Sequence, residues 1–212
     1  MTLPELREAV IRIVSAAIVT DADRYDSAFI DAIIHQYRAE AIWIIYQKEK
    51  RINSLWTQQF IAEYSADLQE GGCIRFACPP LVALDNKTDG AIYVGSIDGD
   101  IAYRKVTSRA ELANNDLHRF SRSNSRNPKA LYSDGVWEIH GDPLIQDLRV
   151  DGIFMNPTEI KTYNIDIDQY PLDDKTIVLM KKLIFASELI PMASQEPDRI
   201  SDSTDKKKPE SR

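Results

Sequence analysis

The sequence predicts an α+β protein: an N-terminal helical hairpin and a C-terminal helix forming a helical body, with a β-rich insert between them and a disordered, charged tail. Three observations carry this. Apolar residues recur at three- and four-residue intervals between Leu3 and Gln47, alternate between Asp-Gly and Pro-containing breaks from Gly71 to Met155, and return to helical spacing after Pro171. The expected division is 1–52 for the hairpin, 53–169 for the insert and connector, 170–192 for the closing helix and 193–212 for the tail.

Thr2 and Glu5 have capping-box spacing and Pro4 stands in the first turn, where its missing N–H costs nothing, so a helix should begin at Leu3. Leu6, Val10, Ile13, Val14 and Ala17 form its apolar face, and it should end near Val19. Thr20 to Asp23 is a polar break, after which Asp23 and Asp26 are placed to cap a second helix. That helix should run to about Gln47. Phe29, Ile30, Ile33, Ile34, Tyr37, Ala41, Ile44 and Ile45 mark its apolar stripe, while Asp31, Gln36, Arg38, Glu40 and Lys48 take the remaining surface.

The stretch Leu55 to Tyr64 suits helix or strand; its aromatic and β-branched residues favour strand. Cys73 to Cys78 alternates as a strand that Pro79-Pro80 ends by withdrawing two backbone donors. Ala91–Val94 and Ile101–Arg104 flank Asp98-Gly99 and read as a hairpin, as do Ala130–Tyr132 and Val136–Ile139 around Asp134-Gly135. Leu148 to Met155 is a further strand, Thr158 to Gln169 an extended connector. Pro171 introduces the last helix, with Asp173 and Asp174 at its positive end, Ile177, Met180, Leu183, Ile184 and Ser187 along one face, and Pro191 as its stop. From Ser194 to Arg212, five acids and five bases with almost no apolar residue make a flexible polyampholyte.

Composition narrows function. A net charge of −7 argues against a general nucleic-acid binder, which needs a basic surface to neutralise phosphate. No run approaches the roughly 18 apolar residues of a membrane span, and the opening Met1–Glu5 lacks the basic-then-apolar form of a signal peptide, so a chain made in the cytoplasm and free of membrane is expected. Cys73 and Cys78 are the only cysteines, with His35, His118 and His140 scattered around them; small buried thiols, rather than a zinc site or cross-link, are expected.

Other candidates each have a bland counterpart. Asp85 to Gly90 suggests an oxygen-rich cation loop but lacks EF-hand spacing, and reads as a turn. Glu138, His140 and Asp142 alternate and would share a strand face, either as a carboxylate–imidazole metal site of an enzyme or as a solvated strand edge, the reading preferred here. His118 to Lys129 carries four positive side chains, a histidine and no acid; Arg119, Arg122, Arg126 and Lys129 would lie on an exposed loop, idle, against a neighbouring subunit or near DNA phosphate. Trp43 lies beside the main stripe of the second helix, where it either anchors an interface or packs in the core. No phosphate-binding Gly-rich loop or nucleophile–base motif is present, so no catalytic, cofactor or metal-binding residue is expected.

The run Leu3 to Ile18 followed by Thr20-Asp21-Ala22-Asp23-Arg24-Tyr25-Asp26 and a long helix to Lys50, and later Val150-Asp151-Gly152-Ile153-Phe154-Met155-Asn156-Pro157 and Tyr170-Pro171-Leu172, resemble the opening and closing segments of head-to-tail connector (adaptor) proteins of short-tailed phages, closest in pattern to ring proteins of crAss-like phages. The resemblance implies a structural virion protein without catalytic function. It would form a homo-oligomeric ring, typically of twelve copies, beneath the portal protein, in contact with tail or other ring proteins, and genomic DNA would pass through without specific binding. A tail hub is the structural alternative. Partner contacts would then fall on Trp43, on Arg119, Arg122 and Arg126, and on Asp198, Arg199, Lys206, Lys207 and Lys208 of the tail.

Overall fold

The computed structural model describes residues 1–17, 26–63, 73–85, 89–117, 122–124, 126–142 and 144–189. It is an α+β fold with N-terminal helices and a β-rich middle region. Helix α1 (Leu3–Ala17) starts where the capping box places it: the Thr2 N–H donates to Glu5 Oε2 at 2.9 Å, and Leu3, Leu6 and Val10 are buried. Helix α2 (Ser27–Glu49) begins with the Asp26 carboxylate accepting from the Ala28 N–H, and ends at Lys50, whose N–H still donates to the Tyr46 carbonyl and whose positive φ of 51° turns the chain out of the helix. A two-pronged ion pair from Arg7 to Asp31, at 2.8 and 2.6 Å, clamps α1 to α2. The expected break at 20–23, with Asp23, lies outside the described residues, as do the side chains of Val14 and Ala17.

The buried row of α2 is Ile30, Ile34, Tyr37, Arg38, Ala41, Ile42 and Ile45. It is turned relative to the expected stripe: Phe29 is exposed and Arg38, assigned to the surface by its charge, is fully buried. Helix α4 (Asp174–Ile184) packs on the same side, burying Thr176, Ile177, Met180 and Ile184, and continues as a π-helical turn, Phe185–Leu189, in which Ser187 is exposed rather than on the buried face. The helical core also takes in Trp56, Val82, Leu84, Ile153, Tyr170 and Leu172 from the connecting segments.

Strand is what forms after a short 3-10 turn at Ser54–Trp56: β1 (Gln58–Glu63) pairs with β7 (Asp147–Gly152), which pairs with β3 (Ala91–Gly95), all antiparallel. A second sheet has the order β2 (Ile74–Ala77), β6 (Val136–His140), β5 (Lys129–Ser133), β4 (Arg104–Val106). One apolar core joins them: Ala62, Val94, Leu148 and Val150 of the first sheet meet Phe76, Ala130, Trp137 and Ile139 of the second.

The β5–β6 hairpin turns at Asp134-Gly135 as expected, with φ of 50° and 79°, the pair of positive values that a two-residue turn of matching twist requires. The first expected hairpin is different. Its Asp98-Gly99 turn forms and Gly95 bridges Ala102, but the chain then leaves the sheet, and β4 runs parallel to β5 in the other one. Helix α3 (Arg109–Leu117), which the sequence did not announce, crosses between them and packs Leu112 on Val106 and Leu131. Residues 158–169 make turns rather than an extended connector, because Asn156 caps a 3-10 turn at Pro157–Glu159 and Asp168 accepts from the Asn164 N–H. Among the described residues no helix is long and apolar enough to cross a membrane.

Candidate metal centre

The register of β2 against β6 builds the most chemically distinctive place in the molecule. Ile74 stands opposite Ile139 and Phe76 opposite Trp137, facing the shared core; Arg75 stands opposite Glu138 on the other face. One step further along the ladder, that face also receives Cys73 and His140. The Cys73, Glu138 and His140 ligand atoms all lie within 4.8 Å of one another. They line an open cleft of about 620 Å³ whose other walls are Arg75 and the α3 residues Arg109, Leu112, Ala113 and Asp116.

Charge is distributed tightly here. Glu138 is buried although charged, and its Oε1 accepts from Arg75 Nε at 3.1 Å and from Arg109 Nη2 at 2.8 Å. The other oxygen, Oε2, stands 3.9 Å from His140 Nε2, too far for a hydrogen bond. That nitrogen is buried without a hydrogen-bond partner. Burial lowers the His140 pKa, against the pull of the Glu138 carboxylate, which favours the neutral ring, the form that has a lone pair to give. On the flank, buried Lys129 lies 3.5 Å from Asp116. Cys78 belongs elsewhere: neither cysteine is in a disulfide, but burial pushes the Cys78 thiol up to about 12, while Cys73 is the one at the cleft.

Several expectations are corrected by this arrangement. A chain with nothing arranged for chemistry, and hence not an enzyme, does not fit a cluster of thiol, carboxylate and imidazole beside a cleft, which is the donor set of a catalytic or structural metal site. Glu138 and His140 are not on a solvated edge, since β6 lies between β2 and β5. Asp142 does not join them: Gly141, with φ of 93°, breaks the alternation, and the Asp142 carboxylate accepts from the Tyr103 hydroxyl at 2.9 Å. Asp89, in the suspected cation loop, caps the Ala91 N–H and binds Lys105 Nζ at 2.9 Å.

The remaining candidates are dispersed. Trp43 is 46% exposed on α2, not in the core. Arg122 and Arg126 are exposed, whereas Lys129 is a buried strand residue rather than part of an exposed loop. Arg119, Asp198, Arg199, Lys206, Lys207 and Lys208 lie outside the described residues. Cys73 is the residue that sequence reasoning missed. Its alternation with Arg75 and that of Glu138 with His140 were visible, but only strand pairing brings the two runs together. No protein-family model matches this chain and no curated protein matches it.

Proposed function

We propose that this chain is a metal-dependent protein in which Cys73, Glu138 and His140 hold one divalent transition-metal ion, with a fourth coordination position open to the cleft. The observation that carries the reading is the meeting of three different donor types within 4.8 Å, one of them a buried imidazole nitrogen with no other partner. A thiolate with an imidazole favours zinc over the harder magnesium or calcium, and three protein ligands with an open site are the arrangement that activates a water molecule for hydrolysis. Arg75 and Arg109, bonded to Glu138 Oε1, would orient the carboxylate and leave Oε2 to the ion.

The test is metal loading of the purified chain. Cobalt(II) is expected to bind with one ion per chain and to give thiolate charge-transfer absorption, displaced by zinc. Cys73→Ser and His140→Ala are each expected to weaken binding by about 100-fold. A chain that retains no ion and shows no Cys73-dependent cobalt spectrum would overturn the reading.

A second reading has its own observation. Phe29 and Trp43, 50% and 46% exposed, stand about four turns apart on one side of α2. We propose that they seat another chain, in keeping with the resemblance to phage connector rings, with the portal protein and tail proteins as neighbours and genomic DNA passing through. Trp43→Glu is then expected to abolish a closed oligomer in light scattering, alone or with portal added; a wild-type chain that stays monomeric in both conditions sinks it.

A further inference from the structure

We infer that the cleft beside Cys73, Glu138 and His140 takes an oxyanion, of phosphate or phosphate-ester type, with Arg109 as its recruiting group. The inference rests on the metal reading above and names the class of molecule that the open position would meet. Two arginines converge on a single carboxylate oxygen of Glu138: Arg75, on the adjacent strand, by Nε at 3.1 Å and Nη2 at 3.0 Å, and Arg109, from the first residue of α3, by Nη2 at 2.8 Å. One cation already neutralises that carboxylate.

The two are not equivalent. The Arg75 side chain is 26% exposed and lies across the strand pair, whereas the Arg109 side chain is 73% exposed at the cleft mouth. Arg109 can therefore turn its guanidinium to an incoming anion while Glu138 keeps Arg75, and a guanidinium fork matches two oxygens of a tetrahedral oxyanion.

Charge points the same way. Arg75 and Arg109 balance Glu138 and Asp116 along the cleft wall, and a divalent ion with the Cys73 thiolate adds one positive charge. A partly enclosed wall concentrates that field and attracts anions. The cleft, at about 620 Å³, has the size of a small-molecule site rather than of a lone ion.

The probe is inorganic phosphate, titrated into the cobalt-loaded protein with metal content measured in the same samples. Phosphate is expected to shift the visible cobalt spectrum saturably. Arg109→Gln, folded by circular dichroism, is expected to weaken that response at least about tenfold while metal affinity changes less, and Arg109→Lys to recover part of it. A cobalt-loaded wild-type protein whose spectrum ignores phosphate overturns this inference alone, as does an Arg109→Gln protein that responds as wild type does. Failure to load cobalt is a different result and removes the metal reading itself.

Discussion

Replacing Arg38 by alanine is expected to lower the free energy of unfolding by about 3–5 kcal/mol, against a total of roughly 5–15 for a chain of this kind. Arg38 has no exposed surface. Its Nη1 donates to the Phe154 carbonyl at 2.6 Å, its Nη2 to the carbonyls of Trp56 at 3.2 Å and Pro171 at 3.4 Å, and its guanidinium stands 5.8 Å from the centre of the Tyr170 ring. One side chain of α2 thus ties down the ends of three connecting segments where they enter the helical core. Truncation leaves three carbonyls unpaired and opens a cavity at once.

Burial lowers the Arg38 pKa, the sign of a charge held at a cost, so Arg38→Met is expected to lose less than Arg38→Ala: it keeps most of the volume and removes the buried charge. Urea denaturation of both variants checks the order. An Arg38→Ala protein within about 1 kcal/mol of wild type would show that the carbonyls find other partners without loss.

Acidification from pH 6.5 to about 4 is expected to remove roughly 2–3 kcal/mol of stability through His35 alone. The His35 Nδ1 lies 2.8 Å from the Tyr170 hydroxyl, and its ring is stacked on that of Tyr170. Burial lowers its pKa to about 4, with Arg38 adding to the effect and Asp31 opposing it. The sign follows from proton uptake. Below 6.5 the unfolded chain takes up a proton that the folded chain refuses until about pH 4, so stability is complete above 6.5 and falls through that window.

His35→Gln is expected to flatten this dependence, read as urea midpoints at pH 7.5 and 4.5. The carbon-bound protons of His35 in wild type are expected to titrate near 4; a midpoint near 6.5 would refute the assignment. Because Arg38 contributes to the shift, the Arg38→Met protein should show His35 titrating at higher pH, and the two substitutions should not add.

How far the residues announce all this depends on whether the signal is local. The start of α1, the cap of α2, the Asp134-Gly135 hairpin and the helix after Pro171 were legible because capping, turn geometry and periodicity act within a few residues. The parallel pairing of β4 with β5 was not: the Asp98-Gly99 turn predicts a hairpin, and nothing near it says that the chain will leave for a second sheet. Helix α3 was missed for a related reason. Apart from Leu112 it has little apolar surface to bury, so it has almost no periodic signature.

By itself, the sequence determined the class of the fold, the opening helical pair, the closing helix and the Asp134-Gly135 hairpin, since those follow from side-chain spacing and backbone preference along one segment. Tertiary structure alone decided that a charged Arg38 would be fully enclosed in the helical core, that Glu138 would be buried between two arginines, and that Cys73 would arrive beside His140. The physical reason is common to all three. A charge can be buried, and a ligand set assembled, only when partners distant along the chain supply the hydrogen bonds or donors, and strand register, which no local pattern encodes, determines which partners those are.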